Sequence, residues 1–584
     1  MRPSTLLVKG TRAKQLLLLL LLLAAPALVQ AQFNYTINGD GSLNLARYTG
    51  SAGAVVIPNT TNGLPVTTIG DAAFFECASV TNVAIGTNVA SIGGQAFSYS
   101  SLATILIPAG VTNLGFDAFA DCIDLMAFTV DTNNPVFGSV AGVLFNQNLT
   151  TLITYPGGKA GSYAVPASIT SIGDDAFFEC AKLTSVTLSA NVTNIGNSAF
   201  YVCTGLTAIT VDTNNPGYSS VAGVLFNRSQ TTLIQYPAGN TATSYAIPDS
   251  VTNVANQAFF ESASLVKVMI GTNVTIIGAA AFEDSPALAS ITFPDNVTLI
   301  EGDAFAECTG LTNVVIGAGV TNIQSQAFLG CTSLIGVAVA TNNPAFISVA
   351  NVLFNLSQTT LVLYPAGSSG TAYAIPNSVT HLGDDAFHGS YNLASVTLGT
   401  NVASIGDGAF SQCYSLTGVT LPNSVTNLGF SIFYACYSLT NVMIGTGVTS
   451  IGFQVFAYCS SLTGIYFQGN APGGGPDVFD GDNLAIVYYL PGAKGWGTLF
   501  DGLSTAPWLP HIQTGDASFG VQADGFGFTI DWAPGRTVVV QASTNLVNPV
   551  WSPVGTNIFA GVSSAFRDSQ WTNYPLRFYR LDSP

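Results

Sequence analysis

Nine cysteines carry the most reactive side chains in this sequence, and their spacing limits the chemistry that they can do. Each one comes three residues after a phenylalanine that recurs along the chain, mostly in Ala-Phe pairs. The closest cysteines are 23 residues apart, so there is no CxxC pair for zinc binding or disulfide exchange. A buried column of free thiols is the favoured interpretation. A disulfide such as Cys180–Cys203 or Cys413–Cys436, or metal binding, stays open as an alternative.

The three histidines, His381, His388 and His511, are not part of any catalytic pattern. The sequence has no HExxH, no GxSxG and no GxxxxGK followed by Ser or Thr, the motifs of zinc peptidases, hydrolases and phosphate-binding loops. We therefore predict that the chain is not an enzyme. A triad can assemble from residues far apart in sequence, so an extracellular enzyme is kept as the third of three hypotheses.

Acidic residues form a second regular set, two positions after the same phenylalanine. Its members are Glu76, Asp121, Glu179, Glu261, Asp284 and Glu307. Carboxylates in register offer the oxygen ligands that Ca²⁺ prefers, so weak Ca²⁺ binding is one interpretation. A solvated edge that keeps the protein soluble is the favoured one. Asp477, Asp480 and Asp482 depart from the EF-hand pattern and are interpreted as turn residues, and no other cofactor is predicted.

The recurring phenylalanine measures the repeat that positions all of these residues. Most steps are 22 or 23 residues, and three steps of 58 or 59 residues each hold one repeat plus an insertion. We call these residues the ruler phenylalanines. The thirteen are Phe74, Phe97, Phe119, Phe177, Phe200, Phe259, Phe282, Phe305, Phe328, Phe387, Phe410, Phe433 and Phe456.

One unit, residues 311–333, shows how the repeat folds. Leu311, Val314 and Ile316 have the spacing of a short strand whose apolar side chains face a core, and a second extended segment follows. One such unit cannot bury its own apolar face, but stacked copies can, with parallel strands about 4.8 Å apart. The sequence therefore predicts a mainly β fold, a β-solenoid of about thirteen 23-residue coils.

The repeat LxxVxI-G-xx-VTxIG-xx-AFxxC resembles the BspA-like subclass of leucine-rich repeats, which also occurs in treponemal surface proteins. The three insertions share a pattern with V-L-F-N and Y-P segments that is similar to the longer module found among these repeats. The resemblance covers roughly residues 67 to 508. It implies a leucine-rich-repeat protein outside the cell or on its surface, with a role in adhesion and without catalysis.

Composition changes along the chain predict its domains. We expect a signal peptide at 1–31, an N-terminal β cap at 32–66, repeats at 67–464, a C-terminal cap at 465–510 and a small all-β domain at 514–584. The insertions occupy 130–170, 211–252 and 339–380. Two hairpins are expected, one joining residues 35–37 to 43–45 and one joining 143–145 to 151–153.

The net charge restricts the partners. Residues 1–31 combine a basic start, a leucine run and a small-residue cleavage site, the pattern of a cleaved signal peptide; an uncleaved anchor is the alternative. Without them, 10 Lys and Arg stand against 31 Asp and Glu, a net charge of −21. This balance argues against nucleic acid and anionic membranes as partners. No membrane insertion is expected after cleavage.

The outward side chains of the LxxVxI strands form the predicted binding face. They are mostly small and uncharged, so a solvated, weakly interacting sheet is the favoured interpretation, and contact with an extracellular protein or polymer is the functional hypothesis. A structural envelope or self-assembling matrix component is the alternative. The predicted face consists of Thr104, Thr187, Thr210, Lys267, Met269, Thr292, Asn313, Thr397, Thr420, Asn441, Met443 and Tyr466.

Overall fold

Each repeat folds into one turn of chain with a longer and a shorter strand. In the unit at 311–333 these strands are Asn313–Ile316 and Asn322–Ile323. Val314 and Ile316 are buried, whereas the alternate residues Asn313 and Val315 are exposed. The alternation that the sequence predicts is therefore confirmed. We call the faces built by these strands the long-strand face and the short-strand face.

The computed structural model describes residues 32–482 and 484–583. The predicted signal peptide at 1–31 lies outside these residues. The chain divides into a first unit, residues 1–331 with 339–345, and a second unit, residues 332–338 with 346–584. No helix in the described part of the chain is long and apolar enough to cross a membrane.

In the first unit, neighbouring coils pair their strands in parallel and in register. The long-strand face contains Ala54–Val56, Asn82–Ala84, Thr104–Ile107, Ala127–Val130, Gly161–Ala164, Leu183–Leu188, Ala208–Val211, Ser244–Ala246, Lys267–Met269, Ser290–Thr292 and Asn313–Ile316. The short-strand face contains Leu64–Ile69, Ser91–Ile92, Asn113–Leu114, Thr151–Thr154, Ser171–Ile172, Asn194–Ile195, Thr232–Gln235, Asn253–Val254, Ile276–Ile277, Leu299–Ile300 and Asn322–Ile323.

Hairpins interrupt this parallel pattern at the N-terminal end and in the insertions. Phe33–Ile37 pairs with Leu43–Tyr48, and Val143–Asn146 pairs with Thr151–Thr154, both antiparallel. Both expected hairpins are thus confirmed. The remaining strands of these regions are Thr60–Thr61, Phe137–Val140, Tyr218–Val221 and Val224–Asn227.

The second unit contains coils of the same kind, followed by antiparallel sheets. Its long-strand face contains Gly336–Val339, Ala372–Ala374, Ser395–Thr397, Gly418–Leu421, Asn441–Ile444, Gly464–Phe467, Ile486–Tyr489, Leu499–Phe500 and Leu503–Pro507. Its short-strand face contains Phe346–Val349, Val352–Asn355, Thr360–Leu363, His381–Leu382, Ser404–Ile405, Asn427–Leu428, Ser450–Ile451 and Gly473–Gly474.

A C-terminal module of two small antiparallel sheets completes the second unit. Its core contains Phe528, Ile530, Trp532, Val540 and Phe566. The strands are His511–Gln513, Gly520–Gln522, Gly525–Asp531, Thr537–Ser543, Ser552–Ile558, Ser563–Asp568 and Phe578–Asp582, with a 3-10 helix at Trp571–Asn573.

Stacked aromatic rings fill the core of the coils. Phe433 stacks on Phe410 with ring centroids 5.4 Å apart and planes 3° from parallel. Such stacks bury large apolar surfaces and hold successive coils in register.

The solenoid makes about 19 turns, so the predicted number of thirteen coils is wrong although the fold is confirmed. Counting the ruler phenylalanines leaves out the coils in which a different residue occupies the equivalent core position. Tyr236 stacks on Phe259 at 5.0 Å and Tyr364 on Phe387 at 5.0 Å, which shows that each insertion carries a core turn of its own. The other substitutes in the stack are Tyr48, Tyr155 and the later Phe479.

Candidate binding groove

The predicted binding-face residues all lie on outward positions of long strands, and the structure divides them into two groups. Thr397, Thr420, Asn441, Met443 and Tyr466 belong to the second unit, where they line one groove. The other seven belong to the first unit. They are Thr104, Thr187, Thr210, Lys267, Met269, Thr292 and Asn313, and all seven are exposed.

Strand register brings the second-unit residues into a column. Thr420 pairs with Met443, and Met443 pairs with Tyr466, one coil after another. Thr397 continues the column in the preceding coil, since Ser395 pairs with Gly418 two residues earlier. Asn441 belongs to the neighbouring column on the same face. The column therefore presents one side chain per coil at the strand spacing of about 4.8 Å.

The C-terminal module forms the opposite wall because two tryptophans fix it to the last coils. The backbone N–H of Trp508 donates to the Tyr489 carbonyl at 2.7 Å. The indole N–H of Trp532 donates to the Trp508 carbonyl at 2.9 Å. Leu490 is buried in the same cluster as Trp532. The hydrogen bonds and the shared apolar cluster therefore set the module against the long-strand face.

The groove between these walls has a volume of about 870 Å³, within the usual range for ligand pockets. Asp531, Trp532, Pro534 and Val562 contribute from the module, and Trp508 lies at one end. The Trp508 and Tyr466 rings are 4.9 Å apart.

Met443 and Tyr466 differ from the rest of the predicted face because they are partly covered. Met443 is only 9% exposed, and the Gln468 side-chain amide donates to its sulfur at 3.3 Å. Tyr466 stacks on Tyr488 at 4.9 Å. Burial, and then the neighbouring Tyr488, raise the pKa of the Tyr466 hydroxyl, so it stays a neutral donor and acceptor near neutral pH.

The groove has little charge. Asp531 carries the one formal charge among its described lining residues, and its carboxylate accepts a hydrogen bond from Gln513. Thr397 and Thr420 make no side-chain hydrogen bond with any described residue, and both are exposed. Free hydroxyls and aromatic rings that line the same groove suit a ligand that offers both hydroxyl groups and apolar C–H surface.

The acidic residues collect on the turn edge of the first unit, which we define as the turns that hold the ruler phenylalanines. Glu261, Asp284 and Glu307 follow one another there and border a surface depression. Burial, and then the neighbouring Asp303, Asp284 and Glu307, raise the pKa of Glu283 to about 7. Among residues 32–482 and 484–583, no three acidic, His or Cys side chains are grouped to hold a metal. Weak Ca²⁺ binding stays a prediction.

Backbone geometry restricts the acidic column. Glu261 has φ 51° and Glu307 has φ 54°, both in the left-handed region. Glycine replaces the acid at the equivalent Gly330 and Gly389, with φ 67° and 66°. The sequence pattern alone did not reveal this constraint, although glycine at two of the equivalent positions hints at it.

The turn edge of the second unit has no acidic residue two positions after the ruler phenylalanine, but it carries tyrosines four positions after it. Tyr391, Tyr414 and Tyr437 stack in three successive coils, with centroids 4.6 and 5.0 Å apart. Tyr391 and Tyr437 are 37% and 47% exposed. This tyrosine column was not singled out from the sequence, where its members stand 23 residues apart.

The nine cysteines are free, and all except the half-buried Cys77 are buried. Seven buried thiols donate to the carbonyl oxygen of a ruler phenylalanine in the previous coil, as Cys203 does to Phe177 at 2.9 Å. Ser285 makes the same bond to Phe259 at 3.1 Å. Cysteine or serine, both with small side chains, fills all thirteen positions of this column, although the buried hydroxyls of Ser262 and Ser390 have no hydrogen-bond partner among the described residues.

The histidines lie in separate surroundings. His381 is exposed on a short strand and its Nδ1 lies 2.7 Å from the Thr380 hydroxyl. His388 lies in a turn with its Nδ1 3.6 Å from Asp385, and burial lowers its pKa to about 4. His511 begins the first strand of the C-terminal module. These three positions are not brought together with the groove lining.

The fold and groove define a repeat protein of the β-solenoid class whose outward side chains line a ligand-sized cleft. The family model for the BspA type leucine rich repeat region matches residues 48–157, 155–242, 236–355 and 366–485, in six copies. The chain belongs to this family, as the repeat pattern predicts.

Several solved structures are similar to this chain. A leucine rich cell surface protein from Faecalibacterium prausnitzii is 25% identical, with a TM-score of 0.38; the match covers 82% of this chain and 97% of that one. The pneumococcal vaccine antigen PcpA is 19% identical over 75% and 78%, with a TM-score of 0.35. The Treponema pallidum leucine rich repeat protein is 17% identical over 66% and 88%, with a TM-score of 0.15. No curated protein matches the sequence.

Proposed function

We propose that this chain is a secreted or cell-surface binding protein that holds an extracellular protein or polymer in the groove of its second unit. The observation that carries the proposal is the convergence of five outward long-strand residues with a separate wall from the C-terminal module. Repeat families bind partners through such repeated surface positions. The proposal assigns no catalytic step and needs no cofactor.

The extracellular location is supported by the predicted signal peptide and by the family. The surface chemistry agrees, because a strongly acidic chain with few lysines and arginines suits neither nucleic acid nor anionic lipid. Adhesion of the cell to its surroundings would follow if the partner is a matrix or cell-wall component.

Blocking the groove tests the proposal. Thr420→Trp places a large side chain in the middle of the column, whereas Thr292→Trp makes the same change on the exposed long-strand face of the first unit. The purified proteins are incubated with washed bacterial cells, isolated cell-wall polymers and purified matrix proteins, and retention is measured. We expect T420W to lose at least tenfold in affinity for the retained partner and T292W to match wild type. Equal retention of both variants, or no retention of wild type, contradicts the proposal.

A second candidate function, self-association, is favoured by one observation on the C-terminal module. Ser552–Ile558 is one of the two outer strands of its three-stranded sheet, and Ile558 is 71% exposed. Val547 and Val550 nearby are 87% and 77% exposed. Exposed strand edges with apolar residues promote pairing between chains. Light scattering across a concentration series tests this role: a rise in mass that Val547→Asp abolishes supports it, and a constant monomer mass excludes it.

A further inference from the structure

We propose that the groove selects an uncharged oligosaccharide chain over charged polymers and over extended polypeptides. This inference rests on the proposed binding function, because it names the ligand class of the same groove. Three properties of the lining carry it, namely its charge, the spacing of its polar groups and its aromatic end.

The charge of the lining disfavours ionic ligands. No lysine, arginine or histidine is among the described residues that line the groove, so sulfate, phosphate or carboxylate groups find no cation to pair with. The one carboxylate, on Asp531, already accepts a hydrogen bond from Gln513. A polycation would therefore gain little from a single, partly satisfied charge.

The polar groups are spaced for a periodic ligand. Thr397 and Thr420 follow one another at one coil step, about 4.8 Å, and their hydroxyls are unused by other described residues. The side-chain amide nitrogen of Asn441 donates to Thr440 at 3.1 Å, which leaves its carbonyl oxygen as an acceptor. Sugar rings of an extended glycan advance by a similar distance per residue. Successive sugar hydroxyls can thus meet successive coils.

The aromatic end supplies an apolar surface for a sugar ring. Trp508 is half-buried and lines the groove, so part of its indole stays open to a ligand. The Trp532 hydrogen bond holds the Trp508 backbone in place at 2.9 Å. The C–H face of a pyranose packs on aromatic rings, while its hydroxyls point sideways to polar groups. The groove offers both kinds of partner within one cavity.

The floor of the groove argues against a polypeptide ligand. Extended peptides bind sheets by adding a strand at an open edge, where backbone N–H and C=O groups are free. Here the floor is a sheet face whose strands already pair with neighbours on both sides, as Gly418–Leu421 and Asn441–Ile444 do. A peptide lying across this face would find no backbone partners, and its own amides would lose hydration.

The test uses the whole protein in affinity electrophoresis. The neutral probes are laminarin, xyloglucan and soluble starch; alginate and chitosan are the charged probes, and gelatin is the extended polypeptide. The double variant Thr397→Val with Thr420→Val removes two hydroxyls and keeps side-chain shape. Its matched control is Thr104→Val with Thr292→Val, which makes the same change on exposed positions of the first unit.

We expect at least one neutral glycan to retard wild type, and the double variant to lose roughly tenfold in affinity, as two neutral hydrogen bonds imply. The control should bind like wild type. If only alginate, chitosan or gelatin binds, and T420W abolishes that binding, the ligand is not an uncharged glycan. This result overturns the inference but supports the proposed binding function of the groove. Glycan binding that the double variant retains in full places the site elsewhere and overturns the inference. Wild type that binds no probe, cell or matrix protein overturns both.

Discussion

The turn edges of the two units share one backbone geometry but carry different side chains, acidic in the first unit and aromatic in the second. In the first unit, Glu261 and Asp284 occupy successive coils of an acidic column. In the second unit the equivalent positions are uncharged, and Tyr414 and Tyr437, two residues further along each coil, stack at 5.0 Å. Each edge is held by its own stack of core phenylalanines, with Phe259 on Phe282 at 4.6 Å in the first unit and Phe433 on Phe456 at 5.4 Å in the second.

This difference teaches that the core of the coil decides the fold while its edges and faces are free to differ. Surface positions of a repeat contact only their neighbours in adjacent coils. A run of coils can therefore become acidic and another aromatic without any change in the strands. The groove follows the same logic, since it uses ordinary outward positions of the second unit and adds a wall.

The largest expected effect tests whether the core is equivalent in both units. Phe282→Ala and Phe433→Ala each remove a fully buried ring and should destabilise their own unit by about 3–5 kcal/mol. Hydrogen exchange followed by mass spectrometry reports each unit separately, since unfolding of a long repeat array need not be two-state. Deprotected amides should be confined to the unit that carries the change. Equal deprotection of both units would show that they unfold together and are not energetically separate.

The next effect concerns the cysteine column, which is the same in both units. Cys203→Ala removes the donor to the Phe177 carbonyl, and we expect it to lower the free energy of unfolding of the first unit by about 1–2 kcal/mol. Cys203→Ser keeps a donor, as Ser285 does naturally, and should cost less. The matched pair at Cys436, which donates to Phe410 at 3.1 Å, should behave alike. A larger cost for serine than for alanine would contradict the donor role.

Thiol reactivity gives an independent measurement of this column. Burial raises the pKa of Cys203 and of Cys413 to about 12, so almost no thiolate is present at neutral pH. Cys77 is the half-buried member. Alkylation of the folded protein with iodoacetamide should therefore modify Cys77 first, as read by peptide mass spectrometry. Early modification of Cys203 would show that its coil opens.

The repeat pattern predicts which side of each strand is buried, because period-two alternation is a local property of the sequence. Thr420 could be placed on the outward face from this alternation alone. The number of coils could not be predicted in this way, because Tyr155, Tyr236 and Tyr364 occupy the position that phenylalanine has in the other coils. Packing decides that equivalence, because either ring fills the same space in the stack.

The groove could be predicted only in part for a different physical reason. Its floor is encoded in each repeat, whereas its other wall depends on the hydrogen bonds of Trp508 and Trp532 and on the apolar cluster that Leu490 shares with Trp532. No local pattern predicts the bond between Trp532 and Trp508, which are 24 residues apart in the chain. The sequence predicts a small all-β domain at 514–584 but not the direction in which that domain faces.

A smaller effect tests the tyrosine column of the second unit. In a double-mutant cycle, Tyr414→Leu and Tyr437→Leu should show a coupling of roughly 0.5–1.5 kcal/mol, the range for stacked aromatic pairs. Chemical denaturation of the four proteins measures it. The control cycle combines Tyr414→Leu with Tyr488→Leu, which stacks elsewhere on Tyr466, and should give no coupling. Equal coupling in both cycles would mean that the column is not a structural unit.

The smallest effect concerns the acidic edge and its pH dependence. Burial and neighbouring carboxylates raise the pKa of Glu283 to about 7, from an ordinary value of 4.5. A carboxyl whose pKa is raised by folding binds its proton more tightly in the folded state. Its destabilising effect is therefore full above pH 7, declines as the pH falls, and is absent below pH 4.5.

Glu283→Gln removes this titration and should stabilise the first unit at pH 8 by less than about 1 kcal/mol, because solvent screens a half-exposed group. At pH 4 the variant and wild type should be equally stable. Hydrogen exchange at the two pH values measures the difference, with the second unit of the same molecule as the internal control. A stabilisation that persists at pH 4 would assign the effect to packing, and the acidic edge would then differ from the tyrosine edge in composition but not in electrostatic energy.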